Sequence, residues 1–553
     1  MIDPTIYHIG EDSQLFVDDL MIEAAQGVTR RWHKPVRHGD APVLKRDQSW
    51  EKHLYFTYSN YVVIRDPQDG LIKCWYEDMV EVTGLEHPWK TAILYAESRD
   101  GITFTKPATG IKDKDGQDTN IVMGYQEGVK NSDRNPWAEA GVHSCGIAID
   151  PHPPTPAERF RVIYSEGSHV NGRLKHQTAI GHSPDGKHWH RYPMRASIGS
   201  TGGNLNDVSC IHYDESARTF VQNTRDHRMY DVPKPMRTPH VSHWFGSLHP
   251  NRPDLRSTRK VVQTRSSDFI HWTEPFLVST PDSADAEHTA IDNLDNAHYG
   301  MQQFSVGRMQ FGTMGIFRYV ANEMDVRLTF SRDGHNFVAT DRGTPFLAPR
   351  GPGHWDAYMV SMTSQPIEMG DELWFYHGGS QVHHDWWCGP PEGIDHDDTR
   401  EAEKRMRDGY AMGLAKLRKD GFASLDGSHE RPGYVLTRPF KSAGDRLLIN
   451  ARCRPGGSIQ VAVLDHDRNP LPGREAEKSD PFTGDKTAHE VTWGGQSEMG
   501  LPAKWRQLLF MIRDSEIFSF RCVGQSAEAE KKLIHESANP TAASATKTDQ
   551  KRT

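Results

Sequence analysis

The stretch Ser98-Arg99-Asp100-Gly101-Ile102-Thr103-Phe104 follows the alternating run Ala92-Ile93-Leu94-Tyr95-Ala96. Together they read as a strand, a tight turn and a return to an apolar layer at Phe104. Gly101 supplies the positive φ that such a turn needs, and the Asp100 carboxylate accepts hydrogen bonds from the turn's own backbone. The pattern recurs. Ser183-Pro184-Asp185-Gly186-Lys187-His188-Trp189 and Ser331-Arg332-Asp333-Gly334-His335-Asn336-Phe337 match fully. Ser266-Ser267-Asp268-Phe269-Ile270-His271-Trp272 matches except at the glycine, and Arg418-Lys419-Asp420-Gly421-Phe422 is a degenerate fifth copy. Successive aspartates lie roughly 85, 83, 65 and 87 residues apart, longer than a minimal four-stranded blade but compatible with blades that carry long loops. One copy would be an ordinary hairpin. Five spaced copies predict one per blade of a five-bladed β-propeller.

The strands expected around each copy keep one order. The first blade has Leu54–Ile64, Ile72–Tyr76 and Ala92–Glu97; the second has Val142–Ile149, Phe160–Tyr164 and Gln177–His182. In at least three blades a turn after the first strand leads into a Trp- or Tyr-rich second strand. From about Arg431 the motif is gone and the texture changes. Leu447–Ala451, Ser458–Leu464, His489–Trp493 and Gln507–Ile512 are strands between Gly, Pro and Asp turns, as in an antiparallel β-sandwich. The fold class is therefore all-β, a five-bladed β-propeller followed by a C-terminal β-sandwich. The expected division is a segment over 1–44 packing on the propeller, the propeller over 45–430, the sandwich over 431–523 and a disordered tail over 524–553. That tail is rich in Ala, Lys, Glu, Ser and Thr and nearly free of large apolar side chains.

Composition narrows the function classes. No run approaches the roughly 18 apolar residues of a spanning helix, so no membrane partner is expected. The N-terminus Met1-Ile2-Asp3-Pro4-Thr5 lacks a basic region followed by an apolar core. The expected location is cytoplasmic, or exported with a signal already removed. The net charge of −9, with Lys and Arg mixed among Asp and Glu, argues against a nucleic-acid partner. The six cysteines form no Cys-x-x-Cys pair and read as isolated thiols. No GxSxG elbow, phosphate loop or dinucleotide fingerprint occurs, so no cofactor is expected.

In a propeller the innermost strands converge on the axis, and ligands bind at one mouth of the channel. Polar residues at the start of each innermost strand are the candidates. Glu51, Asp207 and Asp356 place a carboxylate at nearly the same register in three blades. Glycosidic bond cleavage commonly uses two carboxyl groups, one to protonate the leaving oxygen and one to attack or to activate water. Asp207 and Glu51 are the expected catalytic pair, with Asp356 in support. A single such carboxylate could equally be a strand-end partner of an arginine. His143, Arg225, Tyr299 and Trp355 are candidate substrate contacts, as are His377, His383 and His384 in the loop that runs on to Trp386 and Trp387. The histidine spacing matches no compact zinc pattern such as His-Glu-x-x-His, and no metal is assigned. Asp18 and Asp19 are a competing acid pair, although adjacent strand residues face opposite sides.

The repeats Ser98–Phe104, Ser183–Trp189 and Ser266–Trp272, with Leu15–Ile22 upstream and a sandwich downstream, resemble bacterial proteins related to glycoside hydrolase families 32, 43 and 68. The resemblance implies a five-bladed propeller with acidic residues around its axis and, as in family 32, an appended sandwich. The invertase strings Asn-Asp-Pro-Asn-Gly and Glu-Cys-Pro do not occur, and Arg65-Asp66-Pro67 ends a first-blade strand before a turn. The family acids are therefore not carried over, and the catalytic assignment rests on axial position. The expected function is a glycoside hydrolase acting near the ends of a polysaccharide or oligosaccharide. The alternatives are a non-catalytic carbohydrate-binding propeller, or a lyase or histidine-assisted glycosidase on the same scaffold.

Overall fold

The computed structural model describes residues 6–81, 89–170, 173–199, 208–226, 259–281, 296–318, 323–341, 344–384, 408–500 and 505–524. These residues form an all-β protein. They contain no α-helix, only 3-10 turns such as Pro156–Glu158, and no helix among them is long and apolar enough to cross a membrane. The chain divides into two compact units. One comprises Lys34–Ser305 and Met309–Leu417; the other comprises Met1–His33, Val306–Arg308 and Arg418–Thr553.

The larger unit is a series of short antiparallel meanders. In the first sheet, His53–Tyr55 and Tyr61–Arg65 both pair with Ile72–Glu81, which is followed by Trp89–Ser98 and Ile121–Gly124. The second orders Gly141–Ile149, Phe160–Val170, Arg173–Ser183 and His190–Arg191. The third orders Cys210–Asp214, Thr219–Asp226, Lys260–Ser266 and Phe276–Ser279. The next two meanders are joined. Asn296–Val306, Met309–Arg318 and Glu323–Ser331 lead to Met359–Ser361, Glu372–Ser380 and Tyr410–Arg418 through a parallel contact of Met324 with Met359. Val36–Arg37, from the beginning of the chain, adds the last strand to this sheet.

The expected first strand Leu54–Ile64 is split in two. Ser59 adopts φ 60°, and the intervening residues leave the pleat so that Tyr58 turns inward. The Tyr58 ring is buried and closely faces Gly315, where an added Cβ would come within 2.3 Å of it. Phe56 stacks on Tyr76 at 5.5 Å.

Each Ser-x-Asp turn is closed by the same local bonds. Asp100 Oδ1 accepts from the backbone N–H of Ile102 and Thr103 (both 2.8 Å), and Ser98 Oγ accepts from Gly101 N. Asp185, Asp268 and Asp333 repeat this. These bonds favour the ionised carboxylate and hold Asp100 down to about 2. The fourth position of the motif has positive φ in all four copies, including Phe269 at 69°. The exception in the sequence is thus a bulky residue forced into the glycine conformation, retained because its ring is buried against Phe220 and Trp272. Three of the turns lean on the preceding sheet. Gly186 O accepts from Trp75 Nε1 (2.7 Å), the Arg161 guanidinium lies 5.9 Å from the Phe269 ring, and Gly334 O accepts from Arg265. The first leans on the last sheet, where Tyr376 Oη donates to Gly101 O at 2.8 Å.

In the smaller unit, two strands of the expected N-terminal segment extend the C-terminal sheet. Ile22–Gln26 pairs with Gly433–Thr437, and Val28–Trp32 with Ala423–Gly427. The two long strands Arg446–Leu464 and Gln507–Val523 pair throughout most of their length, with bulges, around buried Phe16, Phe440, Phe510 and Phe520. Residues 525–553, within the expected tail, lie outside the described residues.

Candidate functional site

The second strand of the first sheet carries Tyr76-Glu77-Asp78. Alternation sends Glu77 to one face and its two neighbours to the other. On its face, Glu77 is wholly buried yet fully bonded. Oε1 meets His143 Nδ1 at 2.5 Å, and Oε2 accepts from Asn60 Nδ2 (2.5 Å) and from Ser144 N (3.2 Å). A bulge shapes this contact. The register of Gly141–Ile149 slips between His143 and Gly146, and Ser144 adopts φ 57°. Bulges re-aim side chains and concentrate at functional sites, as do non-glycine residues with positive φ. Here the bulge turns Ser144 N toward Glu77 and leaves the His143 side chain 23% exposed.

Other sheets send groups to the same region. Arg225, near the end of Thr219–Asp226, places its guanidinium 4.5 Å from the centre of the Tyr299 ring, and Arg259 lies 4.8 Å from that ring. Tyr299 Oη and His384 Nε2 are 2.8 Å apart, and His384 packs against Phe317. Tyr55 meets Tyr410 edge-on at 5.0 Å. Burial pushes the Tyr55 phenol far above its ordinary range. Tyr410, Tyr299 and Glu77 push the same way and Arg225 opposes them. The groups are one acid, two imidazoles, two guanidiniums and three phenols, near the starts of first strands, the ends of second strands and, for Arg259 and Tyr410, the beginnings of third strands.

Of the expected contacts, Arg225, Tyr299 and His384 come together, and His143 pairs with Glu77, whose charge acts on Tyr55. Trp355 and His377 form a separate stack, 5.3 Å between centroids. There His377 is buried, and burial together with Arg37 pulls its imidazole down to about 3, so it stays neutral. His383 packs on Tyr358 at 4.0 Å. Asp18 and Asp19 belong to the smaller unit. Asp18 accepts from Leu20 N in a tight turn, and Asp19 pairs with Arg30. Asp207 lies outside the described residues, as do Trp386 and Trp387.

Glu51 and Asp356 are both completely buried and are bonded on both oxygens. Glu51 Oε2 accepts from Asp47 N and Gln48 N, closing a turn, while Oε1 accepts from Tyr76 Oη (2.8 Å) and Lys106 Nζ (2.6 Å). Asp356 accepts from Arg350 Nε (2.6 Å) and Arg37 Nε (2.8 Å). Glu77 was not singled out from sequence because Tyr76-Glu77-Asp78 looks like any strand end. The available signal was a pair of adjacent acids directly after the aromatic pair Trp75-Tyr76.

The described histidines and carboxylates that could hold a metal ion as a group of three or more are limited to the surface trio Asp465, His466 and Asp467 in the smaller unit, an acidic turn of a common kind.

No protein-family model matches the chain, and no curated protein matches it. Among solved structures, an N-acetylgalactosamine deacetylase from F. plautii, in complex with blood group B trisaccharide, is 15% identical with a TM-score of 0.40. The match covers 72% of this chain and 97% of that one. A structure from the GH130 family of mannoside phosphorylases, which contains glycoside hydrolases that target β-1,2 mannosidic linkages in Candida mannan, is 12% identical with a TM-score of 0.41. It covers 70% of this chain and 94% of that one. A glycosyl hydrolase from Bacteroides ovatus is 13% identical with a TM-score of 0.42, again over 70% and 94% of the two chains.

Proposed function

We propose that the larger unit is a five-bladed β-propeller and that it cleaves glycosidic bonds at the mouth where Glu77, His143, Arg225, Tyr299 and His384 meet. The ring reading is supported by the turn contacts: successive meanders lean on their predecessors, and the first leans on the last. The smaller unit is read as a β-sandwich completed by strands from the first 33 residues.

What supports the reading is that acid, imidazole, guanidinium and phenol groups from every meander of the larger unit lie near these strand ends. Sugar hydroxyls need such a mixed set of donors and acceptors, with aromatic faces for the apolar side of the ring. In this reading Glu77 accepts Nδ1–H of His143, which leaves Nε2 as the atom that exchanges a proton with the leaving oxygen or with water. Asp207 is retained on the sequence argument as the second carboxylate. Glu51 and Asp356 hold turns and strands in place, since each oxygen already has its donors. The substrate class is carbohydrate, with no cofactor.

A carbohydrate-binding propeller without catalysis is the second reading, favoured by the complete internal bonding of Glu51 and Asp356. Incubating the purified protein with a panel of oligosaccharides and separating the products decides between them. New reducing ends, lost on His143→Ala, support hydrolysis. Retention on an oligosaccharide column with no product from any member of the panel supports binding alone.

A further inference from the structure

The outermost strand of the second sheet is the short run His190–Arg191, which pairs with the end of Arg173–Ser183. The register sets His190 directly opposite His182. Residues so opposed in an antiparallel pair project from one face of the sheet. Here the two imidazoles lie with ring centres 5.4 Å apart. His182 is half-buried and His190 is exposed.

The His182 ring is held on two sides. Its Nδ1 lies 3.0 Å from the carbonyl oxygen of Ala157, in the 3-10 turn Pro156–Glu158. A carbonyl can only accept, so Nδ1 carries the proton and Nε2 keeps its lone pair. The Tyr192 ring packs 4.8 Å away, and its hydroxyl is fixed between Glu158 and Arg161. Histidines that ligate metals characteristically donate one ring N–H to a carbonyl or carboxylate and present the other nitrogen. Among the described residues, neither His182 Nε2 nor either nitrogen of His190 has a hydrogen-bond partner.

The spacing suits one ion. A metal about 2.0–2.1 Å from one nitrogen of each ring puts the ring centres about 4.5–5.5 Å apart when the N–metal–N angle is between about 90° and 120°. The surroundings suit a cation as well. Arg161, opposite His182 on the next strand, faces two acids, Asp150 and Glu158.

We propose that His182 and His190 together bind a divalent transition-metal ion of the Zn²⁺, Ni²⁺ or Cu²⁺ class, with water in its other positions, and that the ion fastens the outermost strand to its neighbour. Imidazole nitrogen selects these ions over Mg²⁺ and Ca²⁺, which prefer oxygen. The site is independent of the function proposed for the mouth.

The probe is Ni²⁺, measured by equilibrium dialysis with the full chain, with Mg²⁺ alongside. The wild type is expected to bind one more equivalent of Ni²⁺ than either His182→Gln or His190→Gln. Each substitution should weaken that equivalent by more than about tenfold, since loss of an outer partner alone costs about 10–100-fold. His271→Gln, which removes an exposed histidine of the third sheet, should bind as the wild type does. Both ring edges reach the surface, where substitution is tolerated, and equal melting temperatures without metal establish that the variants are folded. Saturating Ni²⁺ should also slow hydrogen exchange at the Tyr192 amide, which donates to Ile180 O beside the pair, in the wild type and in neither of the two variants. Equal stoichiometry in wild type and variants, loss on only one of the two substitutions, or an unchanged Tyr192 amide would each overturn the proposal.

Discussion

Nδ1 of His143 lies 2.5 Å from Oε1 of Glu77, across the junction between the first and second sheets. The carboxylate is locked by Asn60 and by Ser144 N, so the ring has one favoured orientation. A buried acid behind an imidazole fixes its tautomer and favours the protonated ring, the same role that carboxylates play behind catalytic histidines.

Removing the imidazole should therefore cost more than removing the acid. On a substrate found by the oligosaccharide panel, His143→Ala is expected to lose about 10²–10⁴-fold in kcat, the span usual for an acid–base group. Glu77→Gln keeps the shape but not the charge. It should lower kcat by about 10² and displace the pH profile toward acid, because the imidazolium loses its counter-charge. A profile that does not move on Glu77→Gln would dismiss the pair as an acid–base unit.

Asp207→Asn and Glu51→Gln should behave differently from each other. Asp207→Asn is expected to reduce kcat by at least about 10²-fold while leaving the unfolding transition in place. Glu51→Gln leaves Lys106, whose side chain is 4% exposed, without its buried carboxylate. Lys106 keeps Asp47 and the Lys45 carbonyl, so the cost stays below the about 3–5 kcal/mol of an orphaned buried charge, and the urea midpoint should fall while activity per folded molecule holds. Loss of activity in Glu51→Gln with an unmoved midpoint would return Glu51 to the catalytic pair.

What the sequence revealed follows the range of the interactions. The Ser-x-Asp turns were legible because every bond that closes them spans two or three residues. The placement of Ile22–Gln26 was not, because its partner strand is Gly433–Thr437, and the strand composition of 1–33 suits any open sheet edge. The same limit applies to the site. Arg225, Tyr299 and His384 were identifiable as polar groups near the starts and ends of inner strands, and they do meet. Glu51 and Asp356 fit the same positional rule, but only the fold reveals Lys106, Arg37 and Arg350 as their partners. The bulge at Ser144, which gives Glu77 its role, has no mark in Val142-His143-Ser144-Cys145.

Asp78 should make stability depend on pH. Burial lifts its carboxyl from 3.8 to about 7, against the backbone hydrogen bonds from Lys52 and His53. The folded protein thus holds a proton that the unfolded chain releases between those values. Unfolding free energy then falls as pH rises from about 4 to about 7, and the loss is complete above that window. Asp78→Asn removes this titration while Oδ1 can still accept from His53 N. Its melting temperature should gain on the wild type progressively between pH 5 and 8. Two parallel curves across that interval would rule out a raised carboxyl at this position.

Closure of the larger unit can be tested with two glycines of nearly equal backbone geometry. Gly101 has φ 75° and Gly70 has φ 73°. Alanine is strained at both, by about 1 kcal/mol. Their surroundings differ. A Cβ on Gly101 would lie 2.7 Å from Tyr376 Oη and 2.8 Å from Trp374 Cζ3, both on Glu372–Ser380 of the last sheet, whereas a Cβ on Gly70 meets nothing within 4 Å. Overpacking at a tight contact adds about 1–3 kcal/mol. Gly101→Ala is therefore expected to be less stable than Gly70→Ala by about that amount in urea unfolding, and Tyr376→Phe should weaken Gly101 docking in the same direction by removing the bond to Gly101 O. A Gly101→Ala variant no less stable than Gly70→Ala would mean that the first turn does not abut the last sheet in solution. The proposed ring of five blades would then lose the contact that joins its beginning to its end.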